Sequence, residues 1–141
     1  MTLTQISIFL ENRSGRMAKI MTTLGQAGVN IRAMSLADTS DFGILRLIVN
    51  DTEKGIRSLK DAGFTIRLSE VIAVEVRDRP GELGNILTIL EKADMNVEYM
   101  YSFVQKSMES AILIFRFDDP AKAIQKLTDN DIGIVANSAA W

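Results

Sequence analysis

Apolar and polar residues alternate from Gln5 to Glu11, with Ile6, Ile8 and Leu10 on one face and Ser7, Phe9 and Glu11 on the other. A period of two predicts a strand with one buried face. Ser14-Gly15 breaks it. Met17, Ile20, Met21, Leu24 and Ala27 then recur at helical spacing, with Lys19, Thr23 and Gln26 opposite. This is an amphipathic helix, for which Ser14 is the expected N-cap and Gly28 the expected stop. Residues 30–37 predict a second strand and residues 38–41 a turn. Gly43 to Val49 predicts a third strand, whose nearly continuous apolar character suits a central place in a sheet. Asp51 or Thr52 opens a second helix with Ile56 and Leu59 inward, Ala62-Gly63 ends it, and Phe64 to Leu68 alternates as a fourth strand.

The order β-α-β-β-α-β then begins again. Ile72, Val74 and Val76 repeat Ile6, Ile8 and Leu10 at an offset of 66, and Gly81 and Asn96 repeat Gly15 and Asn30 at the same offset. Leu83, Ile86, Leu87 and Leu90 stand for Met17, Ile20, Met21 and Leu24. Asp119-Pro120 opens the last helix, with Pro at its first position. Ile124 and Leu127 follow Ile56 and Leu59 at an offset of 68, and residues 132–135 form the last expected strand. Repetition along the whole chain predicts two tandem units, 1–70 and 71–141. Almost no linker separates Leu68 from Val71, so a fixed relation between the units is expected. A unit of about 70 residues has a marginal core of its own. Antiparallel sheets joined side by side, or a homodimer, would supply the missing burial.

Composition narrows the chemistry. The 141 residues are 47% hydrophobic with a net charge of −2, which suits a globular chain. Residues 1–70 carry 9 Lys/Arg against 7 Asp/Glu, and residues 71–141 carry 7 against 11. No basic stripe marks a nucleic-acid surface. The chain has neither Cys nor His, which removes thiolate chemistry, the commonest general base and the commonest metal ligand. No cofactor or metal site is expected. No apolar run reaches the ~18 residues that span a bilayer, and Met1 to Gln5 lacks the charged start of a secretory signal. A cytoplasmic protein is the expectation.

The duplicated glycine turn is the candidate site. A helix N-terminus offers unpaired N–H groups and partial positive charge, so it suits an anion. Glycine there lets a ligand approach the backbone. An Asn carboxamide offers an acceptor for an ammonium group. Together the two ends describe an α-amino acid. Turn geometry and helix capping also use Gly and Asn, but the recurrence of both residues in both copies favours a ligand.

These residues match a known family. Leu10-Glu11-Asn12-Arg13-Ser14-Gly15-Arg16-Met17 with Gly28-Val29-Asn30-Ile31 resembles the ACT domain, and Arg77-Asp78-Arg79-Pro80-Gly81-Glu82-Leu83 with Asn96-Val97 resembles it more closely. The first copy is also similar to the regulatory subunit of acetolactate synthase. Arg13-Ser14 replaces the usual acidic-Pro pair, and Asp94 replaces the usual Gly before the second strand. The resemblance implies an α+β fold of two ferredoxin-like βαββαβ units. It implies allosteric binding of a free amino acid between the glycine loop of one unit and the Asn strand of a neighbour. It places ligand at Asn12, Arg13, Ser14, Gly15, Arg16, Met17, Asn30 and Ile31, and at Asp78, Pro80, Gly81, Glu82, Leu83, Asn96 and Val97. With no catalytic domain in this length, it implies a sensor or regulatory subunit, not an enzyme, acting on a separate metabolic enzyme.

Two other classes compete with this reading. An RNA-recognition module shares the topology, but needs aromatics within a basic motif on its middle strands. Residues 43–47 and 111–115 do not supply one, and a protein-interaction module with no small ligand is the remaining form of that alternative. A carboxylate enzyme built on Asp78 and Glu82 lacks a paired-acid or metal motif. Met17, Met21, Met34, Met95 and Met100 are expected as core filler, and Tyr99, Tyr101 and Phe103 as sheet packing.

Overall fold

The fold comes from a computed structural model that describes residues 1–38, 41–104 and 110–136. The chain divides into two compact units, one of Thr4–Ser69 and one that starts at Glu70 and takes in Met1–Leu3. The first contains β1 (Leu3–Glu11), α1 (Arg16–Gln26), β2 (Ile31–Asp38), β3 (Phe42–Val49), α2 (Thr52–Asp61) and the start of β4 (Ile66–Arg77). The second contains the rest of β4, α3 (Glu82–Lys92), β5 (Val97–Val104), β6 (Ser110–Phe117), α4 (Pro120–Asp129) and β7 (Ile134–Val135). Each is a βαββαβ fold. Within the first unit the strand order is β2-β3-β1-β4, and within the second β5-β6-β4-β7. These are the same order, and β2, β3 and β1, like β5, β6, β4 and β7, pair antiparallel.

The expected apolar faces form the two cores. Ile6, Ile8 and Leu10 meet Ile20 and Leu24 of α1 and Leu59 of α2, all buried. Ile72, Val74 and Val76 meet Ile86, Leu90 and Leu127 in the same way, with Phe115 and Phe117 stacked at 5.4 Å. Truncating any of these leucines to Ala would cost roughly 2–5 kcal/mol. Met17, Met21, Met95 and Met100 pack against these cores, as expected. Met34 does not: it is 44% exposed on β2, the last strand of its sheet, beyond the cover of the helices.

The helices α1 to α4 end alike. Gly28, Gly63, Asp94 and Asp131 take φ of 72°, 86°, 54° and 57°. The next residue, Val29, Phe64, Met95 or Ile132, donates its N–H back to Leu24, Leu59, Leu90 or Leu127 at 2.9–3.0 Å. This closure satisfies carbonyls that the helix leaves open and seals an apolar contact beneath. It also corrects two strand boundaries. Phe64 and Ile132 commit their N–H groups to the helix ends, so β4 starts at Ile66 and β7 is only Ile134–Val135. The fourth and fifth expected strands are one strand, β4, because no Gly or Pro interrupts Leu68 to Val71. Asp51, rather than Thr52, caps α2 by accepting from the Lys54 N–H at 3.1 Å, and Asp119 caps α4 through Lys122 at 3.1 Å with Pro120 at the first turn. Thr39, Ser40 and Trp141 lie outside the described residues.

Gly63→Ala is expected to lower stability by about 1–2 kcal/mol, the usual penalty of a left-handed residue with a Cβ. Asp131→Gly, at the matching place, is expected to leave stability unchanged or raise it by less than about 1 kcal/mol. Urea midpoints at constant m-value measure both.

Candidate functional site

The two glycine turns share one backbone. Gly15 (φ 88°, ψ −14°) and Gly81 (φ 87°, ψ −10°) are the N-caps of α1 and α3, and neither brings a side-chain cap hydrogen bond. Ser14 is therefore not the cap. The left-handed glycine one residue later takes that position, and Ser14 stays exposed in the turn. Arg13 N–H donates to the Glu11 carbonyl at 2.8 Å and Arg79 N–H to the Arg77 carbonyl at 2.9 Å. Arg16 and Glu82 N–H reach the Arg13 and Arg79 carbonyls at 3.3 Å. Among the described residues, the N–H groups of Gly15, Met17 and Ala18, and of Gly81, Leu83 and Gly84, take no backbone acceptor. A Cβ added at either glycine would meet nothing within 4 Å. Both glycines thus border open space on their Cβ side.

The side chains around the two turns differ. Asn12, Arg13 and Met17 line a hollow of about 60 Å³ with Leu10, Glu11, Leu36 and Gly43, and Arg13 Nε pairs with Glu11 at 2.7 Å. Arg16 turns away from it: its guanidinium lies 5.2 Å from the centre of the Phe64 ring, with Lys19 Nζ at 5.9 Å. In the second copy Asp78 and Pro80 are exposed, and Leu83 is 36% exposed where Met17 is half-buried. Glu82 stands in place of Arg16, close to the positive end of α3, and binds Arg79 at 2.9 Å.

Neither Asn reaches its own turn. Asn30 and Asn96 are exposed at the far ends of α1 and α3, just ahead of Ile31 and Val97, which open β2 and β5. Each of these helices has 11 residues. At 1.5 Å per residue that separates Gly15 from Asn30, and Gly81 from Asn96, by about 16 Å. The Asn30 backbone is fixed by Asn50: its N–H donates to Asn50 Oδ1 at 2.9 Å and its carbonyl accepts from Asn50 N–H at 3.0 Å. Asn96 and Val97 border a hollow of about 260 Å³ with Leu87, Leu90, Glu91, Asp94 and Met95. Its carboxylates and carboxamide oxygen suit a positive group.

One difference between the copies lies outside the motifs. In the second unit Glu75, Arg77, Glu82, Asp131, Ile132 and Gly133 surround a hollow of about 330 Å³ floored by Val76 and Ile86. Its counterpart in the first unit is built around buried Phe64. Aligning the copies residue by residue would have exposed it, since Phe64 becomes Ile132, Arg16 becomes Glu82 and Lys19 becomes Asn85. Among the described residues no group of three or more carboxylates is placed to hold a metal, and no helix is long and apolar enough to cross a membrane.

The family model for the ACT domain pair matches residues 1–140. This chain belongs to that family. Its two units are ACT units, and the solved structures agree. Protein BT0572 from Bacteroides thetaiotaomicron is 34% identical, with 99% of this chain and 95% of that one aligned at a TM-score of 0.93. The regulatory subunit of aspartate kinase from Thermus thermophilus, in its ligand-free form, is 13% identical over 89% of this chain and 91% of that one, at a TM-score of 0.67. The subunit from Thermus flavus is 14% identical over 89% and 90%, at 0.62. At that identity the kinase subunits share the ACT fold alone. A search of curated proteins finds no match.

The cation–aromatic stack in the first ACT unit is expected to couple Arg16 and Phe64 by about 0.5–1 kcal/mol. A double-mutant cycle of Arg16→Ala and Phe64→Leu in urea measures it.

Proposed function

We propose that this ACT pair is an amino-acid-binding regulatory protein of amino-acid metabolism that works in the cytoplasm on a separate partner enzyme and has no catalytic role of its own. The observation that carries the proposal is the duplicated left-handed glycine turn, with first-turn amides that take no backbone acceptor among the described residues and open space beside each glycine. Those amides and the helix dipole hold the ligand carboxylate. The Asn of a neighbouring ACT unit, supplied by a second copy of the chain in a homodimer, accepts from its ammonium group. Asn12, Arg13, Ser14, Arg16, Met17 and Ile31 frame one site, and Asp78, Pro80, Glu82, Leu83 and Val97 frame the other. The regulatory role is carried over by analogy from the aspartate kinase subunits that share the fold. An aliphatic or small polar ligand follows from the acetolactate synthase resemblance.

The test is calorimetric titration of the twenty amino acids, one at a time, into the wild-type protein and into Asn30→Ala and Asn96→Ala. At least one amino acid should bind saturably. A charge-assisted bond contributes about 1.5–3 kcal/mol, so losing its Asn should weaken binding by about tenfold to a hundredfold. Thermal midpoints of the free variants should match wild type, since both residues are exposed. Absence of any saturable heat, or undiminished affinity in both variants, rejects the proposal.

A further inference from the structure

The two ACT units of this chain serve as a comparison for one another. In the first, the place between the end of β1, the first turn of α1 and the residue after α2 is filled by the Phe64 ring, 6% exposed. Two cations of the same unit, the Arg16 guanidinium and the Lys19 ammonium, stand over that ring at 5.2 and 5.9 Å. In the second unit the smaller Ile132 replaces Phe64, and the hollow of about 330 Å³ opens there. Both covering cations are gone, with Glu82 in place of Arg16 and Asn85 in place of Lys19. Space and charge have inverted together at one structural position.

We propose that this hollow binds a small organic cation of the alkylammonium or alkylguanidinium class. The floor is apolar: Val76 and Ile86 are 6% and 2% exposed, and Ile132 closes one side. An alkyl chain of a few carbons rests there. The walls carry three carboxylates, Glu75, Glu82 and Asp131, against one guanidinium, Arg77. Glu82 is held by Arg79. The side chains of Glu75 and Asp131 form no ion pair or hydrogen bond among the described residues, so both are open to an incoming cation. The carboxylates do not form a metal-holding group, which leaves a ligand that brings its own apolar stem. The site is fixed in place because the Glu75 N–H donates to the Gly133 carbonyl at 2.9 Å and Asp131 closes α4. It borders the second glycine turn through Glu82, but it requires neither the glycine-turn amides nor Asn30 and Asn96, so its ligand differs from that of the amino-acid reading.

The probes are n-butylammonium, n-butylguanidinium and 4-aminobutyrate, titrated into the full chain at low salt while the methyl resonances of Val76, Ile86 and Ile132 are followed. The first two should bind saturably, one per chain, and 4-aminobutyrate, whose carboxylate meets a net negative wall, at least tenfold more weakly. Ile132→Phe rebuilds the filling of the first unit and should abolish the shifts. Glu75→Gln keeps the shape and should weaken binding by at least fivefold, with or without success in folding the Phe variant. The proposal is overturned by no saturation with either cation, by undiminished binding in Glu75→Gln, or by tighter binding of 4-aminobutyrate, which would make Arg77 the anchor. Neither cation carries the carboxylate that the amino-acid site needs, so the two proposals fail or stand separately.

Discussion

Residues held in the left-handed backbone region set the helices of this molecule. Gly15 and Gly81 start α1 and α3, and Gly28, Gly63, Asp94 and Asp131 stop α1, α2, α3 and α4. Each stop turns the chain sharply enough for the following apolar residue to drop onto a buried leucine. Helix length, strand start and the depth of the core contact are thereby fixed in one step. The starts have the opposite effect. A left-handed glycine offers no side-chain oxygen, so it leaves the next amides of α1 and α3 without the cap that Asp51 and Asp119 supply to Lys54 and Lys122 in α2 and α4. One helix of each pair has a side-chain cap at its beginning and the other starts on a bare glycine.

The copies keep this frame and vary what fills it. Asp replaces Gly at two of the stops, at positions where a short polar side chain tolerates a positive φ. Gly55 lies against Val49 and Ile6, where an added Cβ would stand 3.3–3.4 Å from them, and Ala123 occupies the matching buried place in the second unit. Charge varies more freely than shape. Arg16 and Glu82 sit at the same helical position, and a carboxylate there already answers the helix dipole that a ligand carboxylate would answer. On electrostatic grounds the turn of the first unit is the more receptive of the two to an anion.

Periodicity made the cores legible because burial of one face leaves a regular trace. Ile6, Ile8 and Leu10, and Ile72, Val74 and Val76, are where alternation put them. The boundaries were less legible. Phe64 and Ile132 look like the first residues of strands because they are apolar, but their N–H groups belong to the helices behind them. Ser14 looks like a cap because serine is a good one, yet the glycine next to it adopts a conformation that displaces it. Met34 is apolar and exposed because its strand ends the sheet order, a fact of topology that local sequence does not carry. At the site, the glycine and Asn residues were found by repetition. The hollow beside Ile132 was missed because its signal is a loss of volume, visible only when one copy is laid on the other.

The separation of Gly15 from Asn30 constrains what kind of binding is possible at all. An α-amino acid presents its carboxylate and ammonium groups within a few ångströms of each other, while the helix between these two residues is about 16 Å long. No single ACT unit can hold both ends of such a ligand with its own glycine turn and its own Asn. A ligand that uses both must bridge two units. Its binding free energy then includes the free energy of bringing those units together in the right register, and by linkage the assembled state is favoured by the same factor by which assembly raises affinity. Binding of that kind would signal through assembly. It does not need a conformational change within either core, where close packing of the leucines on the sheet would resist one.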